Sequence, residues 1–138
     1  KRFELSYKDG VGKETMWNES DQKLEERNYK DGDLFHRTTF KYYKNGQMES
    51  EESYKDDRLN GKATFWYKNG QKLGEGSYKD NKSDGKWIWW TNKGQKDEEA
   101  NYKDGALVNK TIFKYSYFTG RLKSVKKYKD DVCISGDC

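Results

Sequence analysis

The sequence predicts an all-β protein: an elongated, single-layer antiparallel β-meander of about five repeated hairpins. Three observations carry that prediction. First, the phrase Tyr7-Lys8-Asp9-Gly10 returns in related form at Tyr29, Tyr54, Tyr78, Tyr102 and Tyr128, at intervals of 22 to 26 residues. A period in this range marks a repeat architecture rather than a domain built around one central core. Second, a reversal signal lies between successive tyrosines, most clearly Asn45-Gly46 and Asn69-Gly70, with strand-forming residues on either side. Third, the chain is 31% hydrophobic and 38% charged, yet 16% aromatic. Disordered chains are poor in aromatics. The composition therefore reads as a thin, ordered structure held by rings rather than by a thick aliphatic core.

The hairpins follow in order. Repeat one reverses at Ser20-Asp21-Gln22, repeat two at Asn45-Gly46-Gln47 and repeat three at Asn69-Gly70-Gln71. Repeat four reverses at Lys93-Gly94-Gln95 and repeat five at Thr119-Gly120-Arg121. From the middle residue of each signal to the next repeat tyrosine the count is always 8. The returning strand therefore has a fixed register, and length variation falls in the loop and the outgoing strand. Asn-Gly is read as a two-residue type I′ turn, because both central residues there need positive φ. In repeat three such a turn pairs Tyr67 with Lys72, Trp66 with Leu73 and Phe65 with Gly74.

Side chains alternate between the faces of a strand. One face then carries Ala63, Phe65, Tyr67 and Tyr78, with Gly74 and Gly76 beneath; the other carries Lys62, Thr64, Trp66, Leu73 and Glu75. The same reading puts Trp87, Trp89, Ala100 and Tyr102 on the first face. It also puts Phe113, Tyr115, Tyr117, Leu122 and Tyr128 there. Repeat two departs, with Phe40 and Tyr42 opposite Tyr43 and Tyr54. Small residues facing the aromatics imply rings lying across the neighbouring strand. A lone hairpin buries too little to fold, so the units are expected to fold only as an array. The array is assigned to residues 1–131, and residues 132–138 form a tail.

Charge and cysteine usage narrow the function. Net charge is +4, from 28 basic and 24 acidic residues that are largely interleaved. A nucleic-acid reader concentrates its basic residues on one face, so nucleic acid is not expected as a partner. The last repeat is the one-sided exception, with Lys123, Lys126, Lys127 and Lys129. These lysines read either as protection of an edge strand or as a patch for an anionic partner such as a membrane surface. The tail holds Cys133 and Cys138, for which a local disulfide, implying an oxidising compartment, and two free thiols both fit. No stretch approaches the ~20 apolar residues of a membrane span. The chain opens directly in repeat phase at Arg2-Phe3-Glu4-Leu5, which reads as a mature or trimmed product.

Catalytic constellations are absent. The single His36 and the tail cysteines form no triad with a sensible partner and too small a set for zinc. His36 is read as an exposed loop residue. Glu49, Glu51, Glu52, Glu75, Glu98 and Glu99 are numerous enough to raise the question of paired-acid glycoside hydrolysis, but lysines alternate with them as on a charged strand surface. No catalytic residue, metal ligand or cofactor is assigned.

The pattern Gly61-Lys62-Ala63-Thr64-Phe65-Trp66-Tyr67-Lys68-Asn69-Gly70-Gln71-Lys72-Leu73, followed by Tyr78-Lys79-Asp80, resembles the variant class of MORN repeats. Gly85-Lys86-Trp87-Ile88-Trp89-Trp90 resembles it closely too. The likeness spans roughly residues 3 to 131, with repeats one and five degenerate, as terminal caps are. His36 and Asn109 stand where Gly61 and Gly85 stand in the closest matches. The resemblance implies a single-layer β-meander serving as a protein-interaction scaffold. It also implies kinship with bacterial antitoxin-component-type proteins, many of them exported or at the cell surface, and with proteins linked to membranes and phosphoinositides. It transfers a fold and no catalytic residue.

The leading expectation is a non-enzymatic protein-binding module, with Trp66, Trp90 and Tyr42 as exposed contact residues, since aromatics are enriched at interfaces. An antitoxin or immunity role falls within this class, at an extracellular or cell-surface location in a bacterium. The alternative is a carbohydrate or cell-wall binding module that stacks sugars on exposed rings. A third reading is anionic-lipid binding through the basic last repeat. The fold expectation is checked by far-UV circular dichroism, which should give a β-rich spectrum without helical minima.

Overall fold

The computed structural model describes residues 1–136 and 138. Among these residues there is no helix; 13 strands form one open sheet in which every pairing is antiparallel. The first hairpins use β1 (Arg2–Lys8), β2 (Val11–Trp17), β3 (Lys23–Lys30), β4 (Asp33–Tyr42) and β5 (Met48–Lys55). The middle of the sheet uses β6 (Arg58–Trp66), β7 (Lys72–Lys79), β8 (Lys82–Ser83) and β9 (Gly85–Trp90). It ends in β10 (Lys96–Lys103), β11 (Ala106–Tyr115), β12 (Leu122–Lys129) and β13 (Val132–Ser135). Spatial order follows chain order, with the two-residue β8 pairing β7 off the main path. The tail thus contributes β13, and the Cys133 and Cys138 sulfurs are bonded, their Cα atoms 6.0 Å apart.

Two kinds of reversal alternate, and the Asn-Gly segments do not form the two-residue type I′ turns expected from the sequence. The repeat phrase makes the tight turn. Asp9 and Gly10 have φ of 51° and 78°, and Lys8 pairs directly with Val11. Asp56 and Asp57 do the same at φ 49° and 57° without a glycine, because aspartate tolerates the left-handed region. Positive φ at both central residues defines type I′. The Asn-Gly segments are instead three-residue loops. The Gly46 N–H donates to the Tyr43 carbonyl and the Tyr43 N–H to the Gln47 carbonyl, both at 2.9 Å. Gly46 alone has positive φ there, the signature of a type I turn closed by a left-handed bulge residue.

That extra residue shifts the pairing next to the turn. Trp66 pairs with Lys72 rather than Leu73, and the expected register resumes at Phe65–Gly74 and Ala63–Gly76. Length variation is absorbed by bulges near the tight turns, as at Asn28/Tyr29 and Asn101/Tyr102. The shortest unit, ending at Tyr29, pairs through Gly12 with no shift at that end. His36 lies in β4, half-buried and paired with Asn28, and is not an exposed loop residue. Asn109 pairs with Asn101, whose side-chain amide donates to it at 2.7 Å.

The core is a sheet of rings on one face of repeats three and four. Gly74 pairs with both Phe65 and Trp89, and Ala100 pairs with Trp87. A Cβ built on Gly76 would stand 2.1 Å from the Trp87 ring, and one on Gly74 2.2 Å from the Trp89 ring. The indoles therefore lie flat over the glycine backbone of β7. Trp87 is 2% exposed, and Ala63 and Ala100 are fully buried. Trp87 and Trp89 stack at 5.5 Å, Phe65 lies 6.4 and 6.3 Å from them, and Tyr78 meets Trp87 edge-on at 5.0 Å. The Trp87 indole N–H donates to the Ser77 carbonyl at 3.1 Å, so its burial leaves no unpaired donor.

Repeat five does not extend this face as expected. The Ala100–Lys110 pairing fixes the register of β11, which puts Ile112 on the Trp87 side and Phe113 on the other. Phe113 then pairs with Val125, while Tyr128 pairs with Lys110 on the Trp87 side. Tyr115 and Leu122 stay together on the Phe113 side, and Tyr117 stands in the turn at 90% exposure.

The Gly76→Ala variant should lose about 1–3 kcal/mol, because the methyl group overpacks against a ring that cannot yield. Trp87→Ala should lose about 3–5 kcal/mol by opening a ring-sized void. Urea denaturation of both variants checks this, and an unchanged midpoint for Gly76→Ala would exclude the ring-over-backbone packing.

Candidate functional site

The face opposite the Trp87 stack carries a second set of rings. Each outgoing strand presents one aromatic as its last residue before the reversal: Trp17, Tyr42, Trp66, Trp90 and Tyr115. Each pairs with the first residue of the returning strand, namely Lys23, Met48, Lys72, Lys96 and Leu122. The rings recur every second strand, roughly 10 Å apart at ~4.8 Å per strand. The structure thus places Tyr42, Trp66 and Trp90 at one register position in successive hairpins. Sequence reasoning missed Trp17, whose Ser20-Asp21-Gln22 reversal carries no glycine, and put Tyr115 on the Trp87 face with Phe113, from which the register of β11 removes both.

Charged clamps separate the rings. The Lys72 ammonium lies 2.6 Å from Glu75, and Lys23 lies 2.9 Å from Glu26. Lys96 sits 2.5 Å from Glu99, which also meets Lys86 at 3.2 Å. Each of these lysines reaches over a ring of the next hairpin: Lys23 over Phe40 at 5.3 Å, Lys72 over Trp90 at 5.3 Å and Lys96 over Phe113 at 5.6 Å. A cation at that distance from a ring face is attracted by its quadrupole. Trp66, Trp90 and Tyr42 are half-buried rather than exposed, Trp90 beneath the Lys72 ammonium.

Side chains at the turns lock one hairpin to the next. The Tyr43 hydroxyl donates to the Trp66 carbonyl at 2.7 Å, and the Tyr67 hydroxyl to the Trp90 carbonyl at 2.8 Å. The Asn45 amide donates to the Lys68 carbonyl at 2.8 Å, and the Asn69 amide to the Asn92 carbonyl at 2.9 Å. Next to these contacts lies a shallow depression of about 460 Å³, lined by Tyr42, Tyr43, Lys44, Asn45, Glu49 and Lys68. Tyr42 links the ring row to this depression. Burial pushes its phenol up, the Glu51 charge adds to that, and Lys23 opposes it.

Chemistry is sparse. Among the described residues, no three His, Cys, Asp or Glu side chains are grouped so as to hold a metal ion. Glu26, Glu75 and Glu99 of this face are engaged with lysines. Hydrogen bonds and charge from Lys96 and Lys86 hold Glu99 below the ordinary glutamate range against the cost of its burial. For Glu26, burial acts upward, and Lys23 and Lys13 outweigh it to leave the group lowered. A lowered carboxylate contributes stability above the ordinary glutamate pKa and loses it as pH falls through the folded-state value. Glu99→Gln should therefore cost about 0.5–1 kcal/mol at neutral pH, the scale of a partly solvated ion pair. It should also flatten the acid limb of the stability curve. Melting temperatures between neutral and acid pH check both effects; a parallel acid limb would exclude the pairing as their source.

Comparison with known protein families matches the MORN repeat variant at residues 38–56, 59–80 and 83–104. These stretches coincide with three consecutive hairpin units around the Trp87 stack and the Tyr42, Trp66 and Trp90 row. No curated protein matches the chain. The recurring tyrosine phrase and the constant returning register thus coincide, over residues 38–104, with three consecutive matches to the MORN repeat variant.

Proposed function

We propose that the chain is a non-enzymatic protein-interaction module that docks its partner on the Tyr42, Trp66 and Trp90 row. MORN repeats generally serve protein or membrane interaction and are generally non-catalytic. The observation that carries the reading is the alignment of these three rings at one register position on one sheet face. Their half-burial fits a docking surface. Lys72 over Trp90 holds that ring in place before binding, so little ordering cost for it falls on association. Aromatics in a rigid surface ringed by charge are the side chains that concentrate binding energy at interfaces.

The same clamps argue against the carbohydrate reading. Sugar stacking needs a free ring face, and Lys72 already lies over Trp90. Within the protein-binding class, an antitoxin or immunity role agrees with the family resemblance and predicts rescue of cells that express a cognate toxin. The Cys133–Cys138 bond supports an oxidising, cell-surface or extracellular setting, where free-thiol titration of the native protein should find no reactive cysteine. Residues 1–131 act as the docking array in this reading, and residues 132–138 as a tail.

Trp66→Ala and Trp90→Ala should each weaken partner capture by ~1–2 kcal/mol, more than tenfold at the upper end. The readout is affinity for the co-purifying protein, with far-UV circular dichroism to verify folding. Undiminished capture by a folded double variant would remove the row as the docking surface.

A further inference from the structure

Repeat five differs from the rest of the array in charge and in its turn. Residues 106–129 hold seven lysines and arginines and no carboxylate, whereas the whole chain is only +4, so the remainder is net acidic. The side-chain ion pairs among the described residues run from Arg2 to Glu99, and none reaches this repeat. Among the described residues its cations thus meet no carboxylate at ion-pair distance, whereas the other repeats pair theirs.

The turn is also distinct. The Gly120 N–H donates to the Ser116 carbonyl at 2.8 Å and the Ser116 N–H to the Arg121 carbonyl at 2.8 Å, a reversal one residue longer than its counterparts. At its tip Tyr117 and Phe118 are 90% and 93% exposed, with ring centroids 5.5 Å apart in an edge-on pair. They are the two most exposed large hydrophobic side chains in the described structure. Nothing in the fold requires them to be aromatic.

Geometry selects the kind of anion. Lys126 pairs with Ile112 and Lys127 with Thr111, so the two lysines project from opposite faces of the sheet. A flat bilayer meets one face at a time. A single-stranded nucleic acid needs a basic track along one groove, with rings laid open for stacking, and here the rings pack on each other. The strip from Arg121 to Lys129 is about 27 Å long at ~3.4 Å per residue. That exceeds the ~10 Å screening length, so one isolated carboxylate or phosphate engages only part of it. Among the described residues the outer edge of β12 pairs with no strand over Leu122–Ser124, beside the turn; Gly136 lies against Val125 and Lys126, and β13 pairs from Lys127 onward. An edge is the one place from which side chains of both faces can be reached together, and an extended chain is what a strand edge accepts.

We propose that the fifth repeat docks an extended acidic segment of a protein partner. Its carboxylates meet Arg121, Lys123, Lys126 and Lys127, and an apolar side chain at one end packs on Tyr117 and Phe118. This surface is separate from the Tyr42, Trp66 and Trp90 row and does not depend on it.

The test is fluorescence anisotropy of a short labelled peptide of alternating glutamate and serine with a terminal leucine, titrated with the full chain at low and moderate salt. Saturable binding that weakens with salt is expected. The Lys123→Glu, Lys127→Glu double variant should bind about tenfold or more weakly, since like charge then faces the peptide. The Tyr117→Ser, Phe118→Ser variant should bind more weakly while keeping the same salt dependence. Trp66→Ala should bind as the unaltered chain does, which separates failure of this proposal from failure of the ring-row reading. Absence of saturable binding, equal binding by the folded charge-reversed variant, or tighter binding to phosphatidylserine vesicles or to a single-stranded oligonucleotide would overturn the proposal.

Discussion

The structure depends on aromatic rings laid flat over the glycine and alanine backbone of the adjacent strand. A single-layer sheet has no second layer to cover it, so its apolar side chains must be sheltered within the plane of the array. Trp87 and Trp89 solve this by extending over Gly76 and Gly74, which have no side chain to hold them off. Large rings on β9 require small residues on β7, and the requirement is reciprocal. Burial of one hairpin is thereby written into the sequence of its neighbour, which is why the unit repeats.

The turns supply the second level of order. Tight aspartate turns join one hairpin to the next, and three-residue loops close each hairpin. The loops then reach forward, with tyrosine hydroxyls and asparagine amides donating to carbonyls of the following unit. These bonds satisfy backbone acceptors that would otherwise face solvent at the margin of the sheet. They also fix the spacing of successive hairpins, and so the spacing of the rings just before each turn.

Division of labour between the faces follows. One face is consumed by the Trp87 stack. The other holds a row of half-buried rings set between Lys–Glu pairs, stiff enough to serve as a surface and polar enough to remain in water. Among the described residues the fifth repeat carries cations without carboxylate partners beside an exposed pair of rings. On the two proposals, one continuous sheet carries two chemically different docking regions.

The fold was legible in the sequence because its two signals are local. The tyrosine phrase and the strand-turn alternation recur along the chain, and the fixed count from turn to tyrosine set the returning register. The glycines opposite Trp87 and Trp89 even disclosed that rings would cross a neighbouring strand. The turn types were not legible: Asn-Gly and Asp-Gly both favour positive φ, and only the hydrogen bonds around Gly46 and the dihedrals at Asp9 and Gly10 assign the three-residue loop and the tight turn. The face of Phe113 was not legible either, since one bulge in the β10–β11 ladder inverts every side chain beyond it. For the candidate site, residue choice was partly readable at Tyr42, Trp66 and Trp90, while Trp17 preceded a reversal without glycine and Tyr115 was set on the wrong face by the unforeseen register of β11. The sequence by itself determined the repeat, the strands and the number of reversals, because these rest on near-neighbour propensities. Only the tertiary structure decided which rings are buried, which are clamped and which stand free, because that depends on register between strands some two dozen residues apart.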